Sequence, residues 1–139
     1  MMVDPAKAQV LVVDDDQSVR LMMTTVLDYA GYSVLEAQDG IEALAILRTS
    51  AYPLVVLLDW MMPQMSGEEV LQAVKDGTGA LRRHAFVLVT ANTPTRSPHL
   101  LELLRELCVP VMPKPFRLQH LLNTVAEHDR RINTMEPVS

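Results

Sequence analysis

Apolar and polar positions along the chain switch repeatedly between two periods. Gln9-Val10-Leu11-Val12-Val13 is a compact β-branched run that ends in Asp14-Asp15-Asp16. After it, Val19, Met22, Met23, Val26, Leu27 and Ala30 recur at helical spacing, which predicts a helix capped by Asp15 or Asp16 and stopped by Gly31. Ser33–Ala37 reads as a short strand. Asp39-Gly40-Ile41-Glu42 resembles a capping box opening a helix through Leu47. Leu54-Val55-Val56-Leu57-Leu58 is an unbroken aliphatic run between Pro53 and Asp59, the pattern of a strand buried on both faces.

The alternation continues to the end of the chain. Ser66-Gly67-Glu68-Glu69 is a capping box for a helix carrying Val70, Leu71 and Val74, which Gly77 and Gly79 terminate. Ala85–Val89 is a fourth strand, followed by Thr90. Ser97-Pro98 opens a fourth helix rich in leucine, from Leu100 to Leu107. Val109–Met112 is a fifth strand, and Pro110 confines it to a sheet edge. Leu118, Leu121, Leu122, Val125 and Ala126 mark a fifth helix, and beyond Asp129 the pattern fades into a frayed end. Five strand–helix alternations predict an α/β domain with a parallel sheet covered on both faces. Residues 9–130 form that domain, between an N-terminal extension at 1–8 and a polar tail or linker stub at 131–139.

Bulk properties narrow the function. A length of 139 residues suits one domain with a sizeable core. The net charge of −5 speaks against direct binding of nucleic acid or a membrane surface, which calls for basic stripes. A single cysteine, Cys108, leaves no disulfide framework and no thiolate metal site, in keeping with a reducing cytoplasm. No apolar run approaches a membrane span, and Met1–Pro5 lacks the pattern of a signal peptide.

The candidate chemistry lies where strands end. A parallel sheet puts all strand C-termini on one edge, where ligands bind in open α/β sheets. That edge receives Asp14 and Asp15, then Asp59, Thr90 and Lys114. Three carboxylates repel one another unless protonated or neutralised by a cation. Oxygen ligands favour a hard ion such as Mg²⁺, which takes few carboxylates and keeps room for phosphate oxygens. Asp59 is the best nucleophile of the set and can form an acyl phosphate. Mg²⁺ and Lys114 would stabilise charge on the transferring group, and the Thr90 hydroxyl could bond one of its oxygens.

Val12-Val13-Asp14-Asp15, Leu57-Leu58-Asp59-Trp60-Met61-Met62-Pro63 with Gly67, Val89-Thr90-Ala91 and Lys114-Pro115-Phe116 together resemble the receiver domain of two-component response regulators. The resemblance runs from about Gln9 to Arg130. It implies a doubly wound, flavodoxin-like (βα)5 fold with strand order 2-1-3-4-5. It implies Asp59 as phosphoacceptor, with a sensor histidine kinase or histidine phosphotransfer protein as donor. Asp15, Asp59 and the backbone carbonyl of Met61 would hold Mg²⁺ directly, or Mn²⁺ in its place, with Asp14 acting through water. Thr90 and Lys114 would contact the phosphoryl group, and the Lys114-Pro115 peptide would be cis. An output protein or a second copy would bind the face made by the fourth helix, fifth strand and fifth helix. One departure from the family is Val111, where the switch position is usually aromatic.

Blander roles compete at several positions. Asp14 and Asp15 could merely cap a helix, Thr90 could bond only backbone, and Asp16 suits capping better than metal binding. The four histidines, His84, His99, His120 and His128, show no ligand spacing and read as solvated. Cys108 reads as a small buried hydrophobe. Of two rivals from other classes, one is an Mg²⁺-dependent phosphatase with an Asp nucleophile. It would need a second Asp two residues after Asp59, where Met61 stands. The other is a receiver-like module that binds partners without phosphorylation. The expectation is therefore a phosphoryl switch, not a turnover enzyme.

Overall fold

A computed structural model describes residues 7–77 and 79–134, with side chains described through Ile132. Five strands form one parallel sheet: β1 (Gln9–Val13), β2 (Val34–Ala37), β3 (Leu54–Leu58), β4 (Ala85–Thr90) and β5 (Val111–Pro113). Their order is β2-β1-β3-β4-β5, with β1, β3 and β4 inside and β2 and β5 on the edges. The described helices are α1 (Gln17–Tyr29), α2 (Gly40–Thr49), α3 (Gly67–Asp76), α4 (Gly79–Arg82), α5 (Pro98–Glu106) and α6 (Leu118–Thr134), with a 3-10 turn at Pro94–Arg96.

Period-two alternation within the buried strands feeds two cores. Leu11, Val13, Val56, Leu58, Phe86 and Leu88 face α2, α3 and α5. Val10, Val12, Val55, Leu57, Val87 and Val89 face α1 and α6. Every residue of β3 is buried, because it lies between two strands and beneath helices on both faces. Burial of this kind contributes about 1.5–3 kcal/mol per large aliphatic side chain.

The helix starts follow the sequence signals. The Asp16 carboxylate caps α1 by accepting from Ser18 and Val19 N–H. The Asp39 side chain accepts from Glu42 N–H at α2, and Ser66 with Glu69 forms the full reciprocal box at α3. Ser97 caps α5 with Pro98 behind it. Gly31, at φ 95°, takes the left-handed position that ends α1.

Several expectations need correction. A short helix, α4, lies between Gly79 and Arg82, where glycine was expected only to end α3. The fifth strand starts at Val111, two residues late, because Val109 N–H completes the end of α5 by donating to the Leu104 carbonyl. Helix α6 continues through Thr134, past the point where periodicity fades. Asp129 is buried there and accepts from Ala8 N–H at 3.1 Å, clasping the two ends of the described chain. Residues 1–6 and 135–139 lie outside the described residues, so most of the expected extension and tail does too.

Two histidines and the cysteine also depart from expectation. His84 is buried: its Nδ1 accepts from Leu54 N–H at 2.9 Å, so its Nε2–H donates to the Leu47 carbonyl at 3.0 Å. Burial holds its pKa below the ordinary histidine value, against the Leu47 carbonyl, which favours the charged form. His128 is also buried, with Nδ1–H donating to the Thr124 carbonyl. Cys108 is exposed, because at φ 55° it fills the left-handed position after α5 that glycine more often takes.

Candidate functional site

Sheet register assembles the site. Val13 of β1 pairs with Leu58 of β3, so Asp14 and Asp59 leave adjacent strands at the same level. Asp59 N–H donates to the Val13 carbonyl, and Asp14 N–H donates to the Ala37 carbonyl. Leu58 pairs with Leu88, and Thr90 two residues on pairs with Pro113. Lys114 N–H then donates to the Thr90 carbonyl at 2.9 Å. Residues from β1, β3, β4 and β5, distant in sequence, therefore reach one edge.

Carboxylate oxygens of Asp14, Asp15 and Asp59 all lie within 4.8 Å of one another. Asp14 and Asp59 are buried, and Asp15 is exposed. The Lys114 ammonium sits 2.6 Å from Asp14 Oδ2 and 3.8 Å from Asp59 Oδ1. Asp14 Oδ1 also accepts from Asp16 N–H, and Asp59 Oδ1 from Trp60 N–H at 2.8 Å. Thr90 is 1% exposed, and its hydroxyl oxygen accepts from Asn92 N–H at 3.1 Å. The Lys114-Pro115 peptide is cis.

Electrostatics single out Asp59. Burial pushes its pKa up to about 6; Lys114 and the Trp60 N–H pull it down, while Asp14 and Asp15 push it up. At neutral pH its carboxylate is still mostly ionised, as a nucleophile must be. Three carboxylates face one ammonium, an excess of negative charge presented entirely through oxygen atoms. That donor set fits a hard divalent cation such as Mg²⁺.

The loop after Asp59 is tightly confined. Gly67 N–H donates to the Trp60 carbonyl at 2.8 Å, and a Cβ on Gly67 would fall 2.2 Å from the Asp59 carbonyl oxygen. Only glycine lets α3 begin so close to the strand that delivers the carboxylate. The Met61 side chain is 55% exposed, so it packs little. Gln64 turns the loop at φ 70°. One neighbour was missing from the sequence reading: Arg20 of α1, whose guanidinium reaches the Asp14 carbonyl at 2.7 Å. Its place just after the acidic run, in the first turn of the amphipathic helix, was the available signal.

Comparison with known proteins bears on the family and the fold. The family model of the response regulator receiver domain matches residues 10–126. Response regulator MprA of Mycobacterium sp. (strain KMS) is 36% identical over 114 residues, covering 82% of this chain and 47% of that protein. A probable transcriptional regulator, ycf27, of Porphyra purpurea is 45% identical over 69 residues, covering 50% of this chain and 28% of its own length. The chain thus spans about half the length, or less, of these curated relatives. Among solved structures, a CheY-like response regulator receiver domain protein from Methanospirillum hungatei JF-1 superposes with a TM-score of 0.76 at 29% identity, covering 91% of this chain and 98% of that one. Chemotaxis response regulator CheY4 of Vibrio cholerae gives a TM-score of 0.73 at 30% identity, with 91% and 98% covered.

Proposed function

The chain belongs to the response regulator receiver domain family, and on that premise we propose that it is a phosphoryl switch whose acceptor is Asp59. The donor is a phosphohistidine on a sensor histidine kinase or a histidine phosphotransfer protein. An Asp59 carboxylate oxygen bonds to phosphorus as the donor's P–N bond breaks. The departing imidazole keeps the electron pair and takes up a proton. The supporting observation is the setting of Asp59: a buried carboxylate at the end of the central β3, ionised at neutral pH and 3.8 Å from the Lys114 ammonium.

Asp15, Asp59 and the Met61 backbone carbonyl would hold Mg²⁺, or Mn²⁺ in its place, with Asp14 acting through water. The bound ion would supply positive charge against the phosphoryl oxygens. Lys114 brings a second positive charge to the same oxygens, and the Thr90 hydroxyl donates a hydrogen bond to one of them. The hydroxyl hydrogen is free for this while its oxygen accepts from Asn92 N–H. The exposed Met61 side chain offers no acid or base two residues after the acceptor, which fits a switch better than a turnover phosphatase.

Phosphorylation acts through a difference in partner affinity between two conformations. Leu101, Val111 and Leu118 are 40%, 38% and 49% exposed on α5, β5 and α6, an apolar face suited to an output protein or a second copy. Val111 in place of an aromatic side chain means that switching there does not depend on a rotating ring. With a donor of this class the domain would work in the cytoplasm. Among the described residues no helix is long and apolar enough to cross a membrane. Backbone amide spectra provide a test. Mg²⁺ with BeF₃⁻ should shift the signals of Asp14, Asp59, Trp60, Thr90 and Lys114, and the same shifts in Asp59→Asn would refute the acceptor assignment.

A further inference from the structure

We propose that Arg20 is a positioning residue that fixes the turn carrying Asp14 and Asp15, and so sets the affinity of the site for its divalent cation. The inference rests on the metal-binding reading above. Arg20 lies in the first turn of α1, and its own N–H donates to the Asp16 carbonyl at 3.0 Å. Its guanidinium turns back across the start of the helix. Nη1 donates to the Asp14 carbonyl at 2.7 Å, and Nε contacts Glu36 Oε1 on β2 at 3.3 Å. The Arg20 side chain is 15% exposed, while that of Glu36 is 53% exposed. The cation is therefore mostly enclosed and tethered at its outer side.

The bonded carbonyl belongs to the peptide that links Asp14 to Asp15. Pairing of β1 with β2 ends at Val13 and Ala37, so the Asp14 carbonyl lies past the last paired residue. Arg20 supplies the donor there. The two carboxylates differ in how they are held. Asp14 is fixed by Asp16 N–H and by Lys114. Among the described residues, none donates a hydrogen bond to the exposed Asp15 carboxylate. Its place among the site oxygens depends on its backbone, and the plane of the peptide before it is pinned by Arg20. A guanidinium suits the task because its rigid fork serves the carbonyl and Glu36 together, which a lysine ammonium at the same position would not do.

The test is Mg²⁺ titration of the full chain, followed by the fluorescence of Trp60, whose backbone N–H donates to Asp59 Oδ1, alongside thermal unfolding without the ion. Arg20→Gln should bind Mg²⁺ about tenfold more weakly or worse, the range seen when a partner of a metal ligand is removed. Arg20→Lys should not restore the affinity. Glu36→Gln, an exposed and structurally mild change, should weaken binding less but measurably, and it carries the test should Arg20→Gln fail to fold. A folded Arg20→Gln with unchanged Mg²⁺ affinity, or full restoration by Lys, would overturn the proposal. The first result would leave Arg20 a fold residue, and the second would make its effect one of charge alone. Absence of Mg²⁺ binding by the parent chain would instead remove the metal reading, and this proposal with it.

Discussion

The Lys114 ammonium stands closer to Asp14 than to Asp59, 2.6 Å against 3.8 Å. The cation that serves the proposed acceptor is thus held by a neighbouring buried acid, ready to shift toward new negative charge. Lys114→Ala should leave Asp14 as a buried carboxylate with no countercharge. We expect a loss of roughly 2–3 kcal/mol of stability without metal, since breaking one side of a buried pair strands the other. Saturating Mg²⁺ should recover part of that loss. Urea unfolding with and without Mg²⁺ measures both; a Lys114→Ala chain as stable as the parent without metal would contradict this account of the pair.

Asp59 is itself a stability cost at neutral pH. Its folded pKa is about 6 against an ordinary 3.8. Between those values the folded state binds more protons than the unfolded one, so its contribution to stability declines as pH rises through about 6. Asp59→Asn should therefore stabilise the metal-free chain at pH 7 by about 1–3 kcal/mol, and the gain should vanish below pH 4. Denaturation midpoints at pH 7 and pH 4 test this.

His84 predicts the opposite slope. Its folded pKa is lowered, so the unfolded state binds the proton more readily below the ordinary histidine value of 6.5. Stability from His84 is present above that value and is lost as pH falls below it. Protonation also removes the Nδ1 acceptor used by Leu54 N–H. His84→Ala should cost about 2–4 kcal/mol at pH 7.5, and less at pH 5. A cost that does not shrink with pH would refute the neutral role.

Gly67→Ala probes the loop after Asp59. The added Cβ would meet the Asp59 carbonyl at 2.2 Å and Trp60 Cα at 3.0 Å, both backbone atoms that cannot rotate away. A loss of about 3 kcal/mol or more is expected, together with weaker Mg²⁺ binding as Asp59 shifts. Normal stability and normal Mg²⁺ binding would show that the loop has slack.

The polar edge was legible because parallel strands with unbroken aliphatic runs deliver the next residue to a known place. Asp14 and Asp59 needed only the rule that strand ends align, and Thr90 and Lys114 followed from the same rule. The four cap residues Asp16, Asp39, Ser66 and Ser97 were readable because capping is local. His84 was not, because its partners Leu54 and Leu47 come from segments 30 and 37 residues away. Cys108 was misread because its exposure follows from a backbone angle set by the end of α5, and not from its hydrophobicity. The last turns of α6 were hidden because Asp129 is buried against the N-terminal segment, where periodicity predicts a polar surface.

The central claim is that Asp59 accepts a phosphoryl group. Its most direct measurement is intact-mass detection after incubation with acetyl phosphate, with Mg²⁺ present or chelated, on the parent chain and on Asp59→Asn. The account predicts one added phosphoryl mass, dependent on Mg²⁺ and absent from Asp59→Asn. The same mass gain in Asp59→Asn, or no gain in the folded parent chain with Mg²⁺, would contradict it.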